Sequence, residues 1–177
     1  MPHLPIAKAN EIGLDQGRLD TAYDLLRKWT TGPDAPVPGG AIVVGRNGKI
    51  VEPKFFGRQG AEPAASEIRR DGMFLLASIT KPVTYMAAMM LVERGLLNLS
   101  DPVMRYIPDF AAHHKEETLV LHLFTHTSGM PDMVPDNAEL RQKHAPLSTF
   151  IDGAINAMPL FPPGTDFSYQ SMGTLVV

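Results

Sequence analysis

Residues 74–94 read FLLASITKPVTYMAAMMLVER. Pro82 is tolerated only in the first turn of a helix, because its ring removes one backbone hydrogen bond and clashes with the preceding turn. A helix is therefore predicted over Ser78–Arg94, with Ser78 and Lys81 at its start. Gly95 suits the left-handed position that follows a helix, and Leu96 the apolar contact that accompanies it. At a helix start the backbone N–H groups are free and the dipole favours negative charge. Residues three apart share a face, so the Lys81 amine is placed near the Ser78 hydroxyl. A serine is a weak nucleophile without a base in reach, and a lysine that is desolvated or beside another cation gives up its proton more readily. The Ser78 N–H also points to where an oxyanion would form. A capping serine followed by a surface lysine has the same spacing, so these four residues leave both readings open.

Upstream, Leu14–Thr30 carries Leu19, Tyr23, Leu26 and Trp29 at helical spacing, which predicts an amphipathic helix stopped by Gly32-Pro33. AIVVGR and KIVEPKFFG flank Asn47-Gly48, the dipeptide of a type I′ hairpin turn, where both central residues need positive φ. Residues 61–72 are small and polar and read as a loop; Met73–Leu76 reads as a short strand. Downstream, Asp101-Pro102 reads as an N-cap and first helical residue, with Pro108 closing a short helix. Leu119–His126 is predicted as a helix ended by Gly129. Ser148 is predicted to cap a helix through Met158, with Phe150, Ile151, Ala154, Ile155 and Met158 on one face. The order is helix, hairpin, then a run of helices. A lone hairpin is marginal in water, so its sheet needs strands that residues 78–177 do not offer.

The 177 residues suffice for one domain, with 44% hydrophobic and 20% charged residues and a net charge of −3. That balance, with no basic cluster beyond Arg69-Arg70, speaks against nucleic acid. No apolar run approaches the ~20 residues of a membrane-spanning helix. There is no cysteine and hence no thiolate chemistry. MPHLPIAKANEIG at the N-terminus lacks the apolar core and cleavage site of a secretory leader, and a cytoplasmic location is expected.

Two further stretches bear on chemistry. Tyr169-Gln170-Ser171 follows a Pro162-Pro163-Gly164 turn that would present the tyrosine on a loop; a phenol beside an ammonium ionises more easily and can relay protons. A half-buried structural tyrosine is the plain alternative. In LFTHTSGM, residues 123–130, the Gly-x-Ser-x-Gly pattern of a nucleophile elbow is absent. His122 and His126 have the spacing of a metal pair, but position 123 is leucine and no further ligand is evident; no metal and no cofactor is expected. The segment is expected to pack under the site, with His113-His114 in a solvated loop.

Taken together, FLLASITKPVT, GLLNLSDPVMRYIPDF, LFTHTSGM and FPPGTDFSYQSMG resemble the serine β-lactamase-like superfamily, and within it the class C β-lactamases, D,D-peptidases and family VIII esterases. The resemblance covers about residues 10–177. It implies an α/β (α+β) β-lactamase/transpeptidase-like fold, an antiparallel sheet flanked by helices plus an all-helical region. Residues 1–77 would hold the first helix and the hairpin, and residues 78–177 the helical region. It implies an acyl-enzyme on Ser78, Lys81 as proton partner, Tyr169 as general base or acid, and Ser171 as a substrate-binding residue. The family's Tyr-x-Asn has serine here at position 171. A shorter hydroxyl reaches less far, which favours an ester over a β-lactam.

The family's later Lys/His-Ser/Thr-Gly strand, source of a second oxyanion donor, would follow Ser171 by a long stretch. The chain is therefore expected to be the N-terminal half of such a domain, with the C-terminal sheet strands missing. By itself it is expected to be poorly soluble and nearly inactive, since one oxyanion donor is worth about 3–4 kcal/mol. The expected substrate is a small-molecule ester, amide or β-lactam. β-Lactamase or D,D-carboxypeptidase activity is the alternative chemistry, and a non-catalytic binding protein of the same fold is the alternative class. The oligomeric state is left open.

Overall fold

The computed structural model describes residues 4–177; of the N-terminal stretch read above for a leader, residues 1–3 lie outside the described residues. The chain divides into two compact units, one ending at Leu75 and the other running from Leu76 to Val177.

In the first unit, helix α1 spans Gln16–Thr30 and is capped by Asp15, whose carboxylate accepts the Arg18 N–H at 2.9 Å. Leu19 and Tyr23 turn inward as the apolar spacing predicts, but Trp29 is 48% exposed, because the buried stripe drifts to Thr30 at the helix end. The hairpin forms as two antiparallel ladders. The inner one pairs β2 (Gly45–Arg46) with β3 (Lys49–Ile50). The outer one pairs β1 (Gly39–Ile42) with β4 (Lys54–Gly57), with Gly39 opposite Gly57 and Ile42 opposite Lys54. Asn47 and Gly48 take φ of 53° and 73°, the positive pair a type I′ turn demands. Ala9, Ile12, Leu19, Tyr23 and Val51 form this unit's core. Met73–Leu76 is not a strand. No ladder partner meets it among the described residues, and Met73 and Leu75 are 96% and 97% exposed.

The second unit is helical. Ser78 lies in a 3₁₀ turn, Ala77–Ile79, that runs into α2, Thr80–Glu93. Gly95 (φ 70°) ends α2 with the paired bonds Leu96 N–H to Leu91 O and Gly95 N–H to Val92 O, both 2.9 Å, the Schellman arrangement expected of that glycine. Helix α2 is largely apolar, yet only Lys81 and Ala88 are buried; Val83, Met86, Met89 and Met90 stand exposed along it.

Asp101 does not cap a helix. Its carboxylate instead accepts from Arg105 (2.9 Å) and the Tyr106 hydroxyl (2.6 Å), and two 3₁₀ turns follow, Val103–Arg105 and Pro108–Ala111, the second begun rather than closed by Pro108. Proline suits that first position because its missing N–H has no partner there anyway. Helix α3 spans Val120–Phe124 and is ended by His126 in the left-handed region (φ 60°), three residues before Gly129. Asn137–Gln142 forms α4, which apolar periodicity did not signal because none of its residues is buried. Leu147–Ile155 forms α5 behind Pro146, without a cap from Ser148. Ala154 is fully buried there, whereas Met158 falls beyond the helix and is exposed. Met172–Val176 forms α6. Phe110, Val120, Leu123, Met130, Ala154 and Met172 are the heart of this unit's core. Among the described residues no helix is long and apolar enough to cross a membrane.

Candidate active site

Within the second unit, Ser78 and Lys81 stand one turn apart at the start of α2, and the Lys81 Nζ donates to Ser78 Oγ at 3.2 Å. Ala77, just before the serine, holds φ of 47°. A left-handed residue with a Cβ costs about 1–2 kcal/mol, and such strain gathers at functional sites. Ser78 is exposed, whereas Lys81 is 8% exposed, so the amine is enclosed and the hydroxyl reachable.

Tyr169 and Ser171 arrive from the other end of the unit. The Tyr169 hydroxyl donates to Ser78 Oγ at 2.8 Å, Lys81 Nζ donates to Ser171 Oγ at 3.1 Å, and the same Nζ lies 4.7 Å from the centre of the Tyr169 ring. All four residues singled out in the sequence therefore meet at one point. Polar contact with the Lys81 ammonium first, and hydrogen bonding to Ser78 second, hold the Tyr169 phenol below its ordinary range.

The loop that delivers Tyr169 hangs on residues 126–132. Leu160 N–H bonds to Gly129 O (2.7 Å), Gly164 N–H to Thr127 O (2.8 Å), Ser168 N–H to His126 O (3.0 Å) and Ser171 N–H to Asp132 O (3.3 Å). Gly129 is required where the two segments meet: its φ is 77°, and a Cβ there would lie 2.2 Å from Phe161 O. Pro162 O accepts from the backbone N–H and the hydroxyl of Thr165, closing the turn in which Gly164 adopts φ of 80°. Beyond Tyr169, Gln170 is fully buried and its Oε1 accepts the Gly173 N–H at 2.8 Å, which starts α6 immediately after Ser171.

Two residues take parts that the sequence did not announce. His126, expected only to pack, accepts the Gln170 N–H on its ring Nδ1 (3.3 Å) and lies against the Tyr169 ring, centroid to centroid 4.7 Å. Burial first, and the Lys81 charge second, push its imidazolium below the ordinary histidine range, with Asp132 acting in the other direction. Lys115, beside the exposed His113 and His114, is fully buried, its Nζ donating to Ile155 O and Ala157 O at 2.6 Å each. Nothing local in the sequence marks it, since its acceptors lie some forty residues away. His122 accepts the Leu119 N–H on Nδ1 at 3.1 Å, and its ring lies beside Gly164.

The chain is 37% identical to esterase EstB of Burkholderia gladioli over 117 residues, 64% of this chain and 28% of the esterase. It is 33% identical to a beta-lactamase of Yersinia enterocolitica over 112 residues, 60% of this chain and 28% of that enzyme. The octameric penicillin-binding protein homologue of Pyrococcus abyssi superposes with a TM-score of 0.71 at 29% identity, over 92% of this chain and 38% of that one. The chain thus spans between a quarter and a third of the length of these curated relatives. A family model described as Beta-lactamase matches residues 25–177, and with that match over most of its length the chain belongs to the beta-lactamase family, whose members include serine esterases and β-lactamases.

Proposed function

We propose that this chain carries the nucleophile of a serine hydrolase that cleaves a carboxylic ester through an acyl-enzyme on Ser78. The observation that carries the reading is the contact of Ser78 Oγ with both the Tyr169 hydroxyl (2.8 Å) and the Lys81 ammonium (3.2 Å). In the first half-reaction, Tyr169 as phenolate takes the Ser78 proton, Oγ bonds to the ester carbonyl carbon, and the carbonyl electrons move onto oxygen. When that tetrahedral adduct collapses, the carbon–alkoxy bond breaks and the departing alkoxide takes the proton from Tyr169. In the second, water adds to the acyl carbon with its proton passing to Tyr169, the bond to Ser78 breaks, and Oγ recovers a proton as the carboxylic acid leaves. Lys81 stays cationic in this account. It stabilises the phenolate and is itself held by Ser171.

Two things favour an ester over a β-lactam: serine at position 171, where the resemblance implies asparagine, and the 37% identity to an esterase. Labelling of the full-length protein with a fluorophosphonate, followed by peptide mapping, tests the nucleophile, and the label is expected on Ser78. A full-length protein that takes no label would be a binding protein of this fold. Parallel assays with nitrophenyl esters and a chromogenic cephalosporin test the substrate; faster turnover of the cephalosporin would transfer the proposal to β-lactams.

A further inference from the structure

His126 is joined to the Tyr169 segment three times over. Its backbone oxygen accepts the N–H of the residue before Tyr169, its ring Nδ1 accepts the N–H of the residue after, and its ring lies against the phenol itself. Phe167 closes the other side of the imidazole edge-on, at 6.0 Å between centroids. With its two flanking amides tethered to one residue, the Tyr169 backbone is fixed at the place from which the side chain reaches Ser78, and the same residue's ring packs against the phenol. His126 also holds a left-handed backbone (φ 60°), so the chain bears strain to present this ring here.

We propose that His126 is a positioning residue whose neutral ring, by accepting the Gln170 N–H on Nδ1, holds the Tyr169 hydroxyl on Ser78. The inference rests on the proposed role of Tyr169 and extends it to a residue that touches no reacting atom. An Nδ1 that accepts a hydrogen bond carries no proton, so the ring is the Nε2–H tautomer. Protonating Nδ1 turns the acceptor into a donor facing another donor, and the tether is lost. The groups acting on the ring are Lys81 from α2, Asp132 from the segment after Gly129, and Tyr169 itself. Lys81 opposes protonation and Asp132 favours it, with burial siding with Lys81. The folded-state value thus lies below the free-histidine one. The tether is complete above the ordinary histidine range and is lost as pH falls through the depressed value.

The test uses the full-length protein with three substitutions. His126→Phe keeps a ring against Tyr169 and removes the acceptor. His126→Asn removes the ring, supplies an acceptor near the Nδ1 position and tolerates positive φ. His126→Ala removes both. Fluorophosphonate labelling of Ser78 is expected to slow about tenfold or more in the Phe and Ala variants and to recover to within about threefold of the parent in the Asn variant. In nuclear magnetic resonance spectra of the parent, the Gln170 amide and the Tyr169 ring signals are expected to shift together as the His126 ring titrates. A step in the pH profile of labelling should follow them and be absent in His126→Asn, which keeps only the fall caused by protonation of Tyr169 itself. Labelling of His126→Phe at the parent's rate, or a Tyr169 ring indifferent to the titration of His126, overturns the inference. If the parent takes no label at any pH, the serine-hydrolase reading fails, while the coupled resonances still decide whether His126 positions Tyr169.

Discussion

Tyr169 and Ser78, 91 residues apart in the chain, share a hydrogen bond of 2.8 Å whose other neighbour is the Lys81 ammonium. The arrangement couples three proton-bearing groups, so each is best tested through its effect on the others.

Tyr169→Phe removes the hydroxyl and keeps the ring against His126 and Lys81. Labelling of Ser78, and ester turnover where it is measurable, is expected to fall about 100-fold or more, the usual worth of a positioned acid–base group. Midpoint denaturant concentration should barely change, because the phenol is half exposed. Parent-like labelling would remove Tyr169 from the chemistry.

Lys81→Met takes away the first cause of the lowered Tyr169 ionisation. An ultraviolet difference titration, with Tyr169→Phe as the blank, should show one phenol ionising below the ordinary tyrosine range in the parent and returning upward in Lys81→Met. Because its folded-state value is depressed, Tyr169 contributes stability present above the unfolded value and lost as pH falls through the folded one. If the Tyr169 titration stays in place without Lys81, the ammonium is not what holds it down.

Ser171→Asn lengthens the side chain that meets Lys81. The ratio of cephalosporin to nitrophenyl-ester turnover is expected to rise about tenfold, the scale on which a pocket's polar groups discriminate. Side-by-side kcat/KM values for the two substrates check this, and an unchanged ratio would show that Ser171 does not choose between them.

Gly129→Ala places a Cβ against Phe161 O at a backbone angle that strains any L side chain. Unfolding free energy should drop by about 2 kcal/mol or more, and labelling should slow even where the variant is fully folded, because residues 160–171 are displaced with Tyr169. Urea titration and labelling on the same samples separate the two effects. A variant as stable as its parent contradicts the close approach.

Lys115→Ala leaves the carbonyls of Ile155 and Ala157, at the negative end of α5, without their donor, and removes the charge over the Phe110 ring. Stability is expected to fall by about 3 kcal/mol. Lys115→Met, which keeps the stem, should lose clearly less. Equal losses would mean that the ammonium carries the whole effect and the buried stem adds nothing.

The hairpin was readable because Asn47-Gly48 dictates its own backbone, and the start of α2 because Pro82 excludes all but the first turn. The short helices were readable only loosely. The helix before His126 ends on a left-handed histidine that local preference would not choose; its ring and its backbone oxygen both bond to residues some forty positions later. Met73–Leu76 has the composition of a strand, but a strand exists only through a partner's hydrogen bonds, and composition cannot supply one.

By itself, then, the sequence determined what depends on neighbours along the chain: the pairing of Ser78 with Lys81 one helical turn on, the nested hairpin, the glycine that ends α2. Tyr169 stood out by its turn and its chemistry; family resemblance assigned its role and added Ser171 to the expected site. Only the tertiary structure decided that the phenol touches Ser78, that His126 tethers the loop carrying it, and that Lys115 is buried under the end of α5. Those contacts close loops of forty to ninety residues. Their geometry is set by how whole segments pack, whereas short-range steric preference acts only over a few residues of chain.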